Sequence, residues 1–178
     1  YSIYPRSKDE EVVYNSISSS EDKNYPDAVI VVVDASNLER NLLLFSQIYD
    51  QQLPTLMVLN MTDLAKRKNI NHNLETLQSL FPEATIVQSN ARIKAGKQLI
   101  LDALVSLKER KGDTFLAEAK IAAIDDLVAQ ESETKKRFAI ITDAISKIEN
   151  NAEKVTPKTR GIDKILVHPI FGYFIFAL

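Results

Sequence analysis

Hydrophobic residues between positions 27 and 108 alternate between short continuous runs and longer stretches with helical spacing. The continuous runs lie at 27–35, 55–59 and 84–87. Such runs are typical of strands buried on both faces of a parallel sheet. Apolar residues recurring every three or four positions follow each run and predict helices at 38–49, 73–81 and 97–108. Strands that alternate with helices in this way predict βαβ units, so we expect an α/β domain with a parallel sheet.

The pattern changes after Gly112, where no further strand is predicted. Residues 113–150 are expected to form two amphipathic helices, which must pack on each other and on a neighbour to bury their apolar faces. One apolar stripe comprises Ile121, Ile124 and Val128, and the other Phe138, Ile141, Ile145 and Ile148. Near the start of the chain, Ser7 precedes three acidic residues and is expected to cap a helix.

The last residues of the chain are basic and then apolar. Lys154, Lys158, Arg160 and Lys164 precede the apolar run 165–178. That run is shorter than the ~20 residues that cross a bilayer, and a core helix is the alternative. A basic cluster before an apolar run nevertheless favours a cytosolic approach to a membrane. The sequence thus predicts four segments: the α/β domain at 1–111, an all-α spacer at 112–150, a basic linker at 151–164 and the start of a transmembrane helix at 165–178.

Composition excludes several kinds of site. The chain has no cysteine, which excludes disulfides and thiolate-bound metals. Its two histidines are too few for a multi-histidine metal site. The net charge of −2 lacks the basic excess of a nucleic-acid-binding domain, so no nucleic-acid partner is expected.

Polar residues follow each of the three predicted strands. The clusters are 34–37 (DASN), 60–63 (NMTD) and 89–92 (SNAR). In open α/β sheets, ligands bind outside the carboxyl ends of the strands, so we expect a site assembled from these clusters. Residues of these types are also common turn formers and helix caps. We favour that structural interpretation for 34–37.

The second cluster has the chemistry to recognise guanine. A carboxylate at Asp63 can accept hydrogen bonds from the ring N–H and the exocyclic amine of guanine. Adenine lacks this donor pair and would leave the acceptor unpaired. Asn60 is expected to brace the loop, and the backbone N–H of Ala91 to donate to the guanine O6. Asn90 is a weaker candidate, and Arg92 either flanks the base or pairs on the surface.

Three sequence runs resemble the GTPase domain of ferrous iron transport protein B, a bacterial inner-membrane iron transporter. They are VVVDASNLERN at 31–41, NMTD at 60–63 and NAR at 90–92 followed by Gly96. YSIYP at 1–5 resembles the segment that follows the family's switch motif, and 162–178 resembles its entry into the first transmembrane helix. The second run is similar to the family's variant of the Asn-Lys-x-Asp guanine motif. Met61 in place of lysine implies an apolar contact over the base.

The resemblance implies a Ras-like GTPase fold whose N-terminal part is missing from the chain. It further implies binding of GTP or GDP, with Mg²⁺, and a coupling of nucleotide state to Fe(II) uptake. Residues 1–164 would be cytosolic and the following segment would enter the lipid bilayer of the inner membrane. Homo-oligomers and small accessory proteins of the same system are further expected partners. No G-x-x-x-x-G-K-[ST] phosphate loop is present, so the phosphate and Mg²⁺ ligands are expected outside this chain, and no catalytic residue is assigned.

Two other functions are compatible with the residues alone. One is a soluble regulatory GTPase of the ribosome-assembly type with a helical C-terminal module. The other is an interaction module that kept the fold and lost nucleotide binding. An iron site is a further possibility for the acidic residues, but a solvated face is expected because no histidine joins them; they are Glu118, Asp125, Asp126, Glu131 and Glu133. His72 is expected to be exposed in a polar loop, and His168 to lie at the membrane interface.

Overall fold

The computed structural model describes residues 2–107, 112–117 and 121–151. The six α-helices in this part of the chain are α1 (Lys8–Ser18), α2 (Leu38–Tyr49), α3 (Thr62–Arg67), α4 (Leu74–Leu80), α5 (Lys97–Ser106) and α6 (Leu127–Ile148). The five strands are β1 (Val29–Asp34), β2 (Thr55–Asn60), β3 (Ile70–His72), β4 (Thr85–Gln88) and β5 (Glu149–Asn151). Ser7 occupies the position before α1 as expected, but its side chain makes no capping hydrogen bond.

The main sheet has three parallel strands in the order β1-β2-β4. This confirms the α/β class with a parallel sheet. One expectation about β1 is wrong, because the strand is not buried on both faces: Ile30 is 46% exposed and Val32 61%. The register pairs these two residues with Leu56 and Val58 of β2. Helix α5 packs over the β2 pair and leaves the β1 residues open.

The larger core lies on the other face of the sheet, beneath α2. As the helical spacing predicts, Leu38, Leu42, Phe45 and Tyr49 are fully buried. The Phe45 ring meets the Phe81 ring edge-on at 4.8 Å between centroids, and Phe81 stacks on Phe115 at 5.3 Å. Aromatic pairs at such distances add to the stability gained from burial. Phe45 lies on α2, Phe81 directly after α4 and Phe115 in the segment 112–117, so these rings join three separate parts of the chain.

The C-terminal part of the described chain differs from the two predicted helices. A single helix, α6, contains the whole second stripe but only Val128 of the first. Residues 113–117 and 121–126, where the first helix was expected, form no helix. The reason lies in tertiary contacts of the backbone: the N–H groups of Phe115 and Leu116 donate to the carboxylate of Asp50, at 2.6 and 3.3 Å. Asp126 then caps α6 by accepting from the N–H of Ala129 at 2.9 Å.

The buried face of α6 contains charged residues that the apolar stripe did not include. Glu133 and Arg137 are buried with Ile141 and Ile148, whereas Phe138 is 38% exposed. The interpretation of Glu133 as part of a solvated acidic face is thus wrong. The Arg137 guanidinium pairs with Glu133 and with Asp50 (2.6 Å), and it donates to the carbonyl of Ser46 at 3.0 Å. These contacts fasten α6 to α2.

A small antiparallel pair, β3 with β5, follows α6 and was not expected. It places His72 in a strand with its side chain 5% exposed, which corrects the expectation of an exposed loop residue. The Nε2 atom of His72 lies 3.7 Å from the carboxylate of Glu149. Burial lowers the pKa of His72 and raises that of Glu149, so the fold favours the neutral form of each group. The strand pair anchors the end of α6 beside α3.

No helix within residues 2–107, 112–117 and 121–151 is long and apolar enough to cross a membrane. The expected transmembrane entry at 165–178 and His168 lie outside the described residues, as does the basic linker at 151–164 apart from Asn151.

The hydroxyl of Tyr4 gives a pH-dependent contribution to stability. It accepts a hydrogen bond from the N–H of Ala122 at 3.1 Å. Burial, together with the negative charge of Glu133, raises the pKa of Tyr4 from 10.0 to about 12. A raised pKa means that the fold favours the neutral hydroxyl. The contribution is therefore complete below about pH 10 and is lost as the pH rises through the folded pKa of Tyr4.

We expect the wild-type chain to lose more unfolding free energy between pH 9 and pH 11 than the Tyr4→Phe variant. Urea unfolding followed by circular dichroism at the two pH values measures the difference. Tyr14→Phe is the control, because the Tyr14 hydroxyl also contacts Ala122, donating to its carbonyl at 3.2 Å. An equally steep loss in Tyr4→Phe and in the wild type would contradict the assignment.

Candidate functional site

The polar clusters identified in the sequence meet at one edge of the main sheet. Asp34 and Asn60 end β1 and β2 and are paired in register, and β4 ends beside them at Gln88. A cavity of about 290 Å³ opens at this edge. It is lined by Asn60, Met61, Asp63, Leu64, Arg67, Asn90, Ala91 and Arg92. The six residues expected to bind a nucleotide thus surround a single cavity.

Asn60 fixes the loop that follows β4. Its side-chain oxygen accepts from the backbone N–H of Ala91 at 3.0 Å and from the hydroxyl of Ser89 at 3.3 Å. This is the bracing role expected for Asn60. The Ala91 N–H, however, is directed to Asn60 and is not free to donate elsewhere, which differs from the expected bond to a ligand carbonyl.

Met61 lies at the turn between β2 and α3. Its backbone is in the left-handed region, with φ at +59°, which is uncommon for a residue with a side chain. This conformation directs the Met61 carbonyl to the N–H groups of Leu64 and Ala65, at 2.9 and 3.1 Å. The side chain stays 46% exposed at the cavity. Met61 therefore offers an apolar surface to any flat group that enters.

Asp63 supplies the negative charge among the residues that line the cavity. It lies in the first turn of α3, and its Oδ2 atom pairs with the Nη2 atom of Arg67 at 2.9 Å. Arg67 and Leu64 were not predicted as site residues. The spacing of four residues between an acid and a base on a helix was the signal that could have identified Arg67.

Asn90 has a structural role in this arrangement. Its side chain is buried and accepts from the N–H of Arg92 at 3.2 Å, while its backbone exchanges two hydrogen bonds with Ala95, at 3.0 and 3.1 Å. Gly96 closes the loop with φ at +87°, and a Cβ atom there would lie 2.6 Å from the carbonyl oxygen of Gln88. Only glycine fits this position without displacing β4. Arg92 remains exposed at the rim.

The first cluster, 34–37, shapes the backbone and does not line the cavity. The Asp34 carboxylate accepts from the N–H of Ser36 at 2.7 Å. The ammonium group of Lys68, just after α3, donates to the carbonyl and hydroxyl oxygens of Ser36, at 3.3 and 3.1 Å. This agrees with the structural interpretation of the cluster and holds α3 against the end of β1.

Comparisons with known proteins point to one family. Residues 1–104 match the family described as ferrous iron transport protein B. The chain is 28% identical over 176 residues to the Fe(2+) transporter FeoB of Campylobacter jejuni, and 33% identical over 161 residues to that of Helicobacter pylori. These alignments cover 99% and 87% of this chain, but only 27% and 24% of the relatives. The chain therefore spans about a quarter of their length.

Solved structures share the fold. The cytosolic domain of the T. maritima FeoB iron transporter in a GMPPNP form superposes with a TM-score of 0.69 at 13% identity, covering 84% of this chain and 77% of the other. A GDP-bound mutant of the S. thermophilus FeoB G-domain gives 0.68 at 19% identity, covering 84% and 78%. At such identities the superpositions support the fold alone.

Proposed function

Since the chain belongs to the ferrous iron transport protein B family, we propose that its cavity reads the guanine base of GTP or GDP within the cytosolic G domain of a ferrous iron transporter. The site residues are Asn60, Met61, Asp63, Asn90, Ala91 and Arg92. The single observation that carries the proposal is that the Asp63 carboxylate lines one cavity with Asn60, whose side chain holds the neighbouring loop through the Ala91 N–H. Because residues 1–104 match this family, we no longer favour the alternative of a soluble ribosome-assembly GTPase.

The chemistry of Asp63 selects guanine over adenine. Guanine presents a ring N–H and an exocyclic amine side by side, and the two oxygens of a carboxylate accept both. Adenine has no ring N–H at this edge, so it would desolvate Asp63 without pairing it. An acceptor that loses water without gaining a donor costs about 1–3 kcal/mol when it is buried, and the lower end of this range applies to Asp63, which is 31% exposed and paired with Arg67. Met61 contributes an apolar contact with the face of the base.

Phosphate and Mg²⁺ binding do not fit the described residues. No group of three or more acidic or histidine side chains within 2–107, 112–117 and 121–151 could hold a metal ion. The sequence also contains no phosphate loop. We therefore assign no Mg²⁺ or phosphate ligand among the described residues, and we propose GTP hydrolysis only for a G domain that contains a phosphate loop.

The helical spacer offers a route from the G domain to a membrane part. The Gln47 side chain on α2 accepts from the N–H of Ile3 at 2.8 Å and donates to Glu133 on α6 at 3.0 Å. One residue thereby links the segment before α1 with the spacer. We propose that this link transmits nucleotide state toward an Fe(II)-conducting part in the inner membrane, entered at 165–178. Homo-oligomers and small accessory proteins of the transport system belong to the same proposal.

Guanine selectivity can be tested on this chain by saturation-transfer difference NMR with GMP and AMP in competition. Monophosphates suit the test because the affinity rests on the base when the phosphates have no cradle. We expect saturable GMP binding and about tenfold weaker AMP binding, a difference of roughly 1.4 kcal/mol. Equal binding of the two nucleotides, or binding of neither, would favour the alternative of an interaction module without nucleotide recognition.

A further inference from the structure

We infer that Arg67 is a positioning residue that sets how strictly the cavity discriminates among purines. This inference rests on the proposed reading of guanine by Asp63. Both residues line the same cavity, and their side chains are joined by the 2.9 Å contact between Arg67 Nη2 and Asp63 Oδ2. Through this contact Arg67 acts on Asp63, whose orientation it sets.

Helix α3 makes this pairing geometrically reliable. The helix contains six residues and places Asp63 in its first turn and Arg67 at its end. Residues four apart lie on the same face of a helix, and an acid that precedes a base suits the helix dipole. The chain continues into the turn at Lys68, which is tied to Ser36. The backbone just after Arg67 is thus held against the end of β1.

An ionised carboxylate can serve the arginine and the base together. Its two oxygens provide about four lone-pair directions. Guanine requires one direction on each oxygen, and Arg67 occupies one further direction on Oδ2. Because Asp63 is 31% exposed, its side chain could rotate away without this anchor. Arg67 therefore holds the carboxylate in the orientation that accepts both guanine donors.

The exocyclic amine of guanine is the contact most sensitive to this orientation. Hypoxanthine has the same ring N–H as guanine but lacks the amine. A carboxylate that is free to rotate still accepts from the ring N–H but loses much of the second bond. Removing the anchor should thus weaken GMP binding more than IMP binding. GMP and IMP carry the same phosphate charge. The ratio of their affinities is therefore insensitive to the loss of one positive charge from the protein.

The test compares the GMP-to-IMP affinity ratio of the wild-type chain with that of Arg67→Gln, Arg67→Lys and Lys66→Gln. Lys66→Gln is matched in charge: it removes one cation from the same helix at a residue that does not line the cavity. We expect the ratio to fall about threefold in Arg67→Gln, a size in keeping with an exposed ion pair. Arg67→Lys should recover part of the ratio, and Lys66→Gln should retain the wild-type value.

Two results would overturn the inference. If Arg67→Gln kept the wild-type ratio, Arg67 would not position Asp63. If it raised the ratio, Arg67 would compete with the base for the carboxylate. Either result leaves the proposed function intact, provided that the wild-type chain prefers GMP to AMP. Failure of that preference in the wild type would remove the proposed function and this inference together.

Discussion

Replacing Asp63 with asparagine is expected to move the preference of the cavity from guanine to xanthine. Xanthine carries a carbonyl where guanine carries the exocyclic amine. The amide NH2 of the introduced asparagine can donate to that carbonyl. With guanine the same NH2 would face the exocyclic amine, and two donors cannot form a hydrogen bond with each other. The variant should bind XMP more tightly than GMP, and its GMP affinity should fall roughly tenfold or more, since a charged acceptor of two hydrogen bonds is lost.

The control for this exchange is Asp63→Ala, which removes the acceptor without supplying a donor. It should lose GMP affinity to a similar extent and gain nothing for XMP. Competition of GMP with XMP in saturation-transfer difference NMR measures both variants. A GMP-to-XMP ratio in Asp63→Asn equal to that of the wild type would contradict the role assigned to Asp63.

Replacing Arg137 with methionine is expected to cause the largest loss of stability of any single change proposed for this chain. Arg137 is fully buried between Asp50 and Glu133, and its ring neighbour Phe115 lies 5.8 Å from the guanidinium carbon. Methionine preserves much of the volume but leaves two buried carboxylates without the positive charge that compensates them. Breaking a buried pair in this way costs about 3–5 kcal/mol. Urea unfolding followed by circular dichroism measures the loss.

The loss in Arg137→Met should depend on pH in a defined direction. Burial raises the pKa of Asp50, and the positive charge of Arg137 acts against this rise. Without Arg137 the pKa of Asp50 rises further, so protonation of this carboxyl begins at a higher pH as the solution is acidified. Protonation removes the uncompensated charge. The destabilisation should therefore be smaller at pH 5 than at pH 8.

Lys135→Met is the matched control for Arg137→Met, because it removes a cation from the exposed face of the same helix. Lys135 pairs with Glu131 at 2.6 Å while remaining 73% exposed. The loss of such a pair costs about 1 kcal/mol or less. The assignment of the buried pair would be contradicted if the two substitutions lowered the unfolding free energy equally, or if the loss in Arg137→Met were independent of pH.

The main sheet and its helices could be predicted because each depends on local periodicity. The runs at β1 and β2, and the stripe on α2, specify their elements without reference to distant residues. The burial of β1 could not be predicted in the same way. Whether Ile30 and Val32 are covered depends on where α5 packs. One helix is too narrow to cover all three strands, and α5 lies over β2 and leaves β1 open.

Helix α6 shows the limit of apolar patterning most clearly. Its buried face is set by Arg137, whose charge suggests solvent but whose partners, Asp50 and the Ser46 carbonyl, lie more than eighty residues earlier. Phe138 is more exposed as a consequence. The pairing of β3 with β5 is equally non-local, and it buries His72.

The candidate site was predictable in position and less so in detail. Strand ends in a parallel sheet meet at one edge, which is why the clusters at Asn60 and Asn90 converge on one cavity. The individual hydrogen bonds depend on side-chain orientation. The Ala91 N–H bonds to Asn60, and Asn90 bonds within its own loop. Arg67 could not be predicted from the strand ends, because it lies at the far end of α3, one helical turn after Asp63.

Recognition of guanine by the cavity around Asp63 is the central claim. Its most direct test is a titration of the ¹⁵N-labelled chain with GMP and, separately, with AMP, followed by ¹H–¹⁵N correlation spectra. We predict that GMP shifts the amide signals of 60–64 and 91–92 in a saturable manner, and that AMP at the same concentrations shifts them much less, with about tenfold weaker apparent affinity. Shifts of equal size with both nucleotides, or GMP-dependent shifts confined to residues away from the cavity, would contradict the claim.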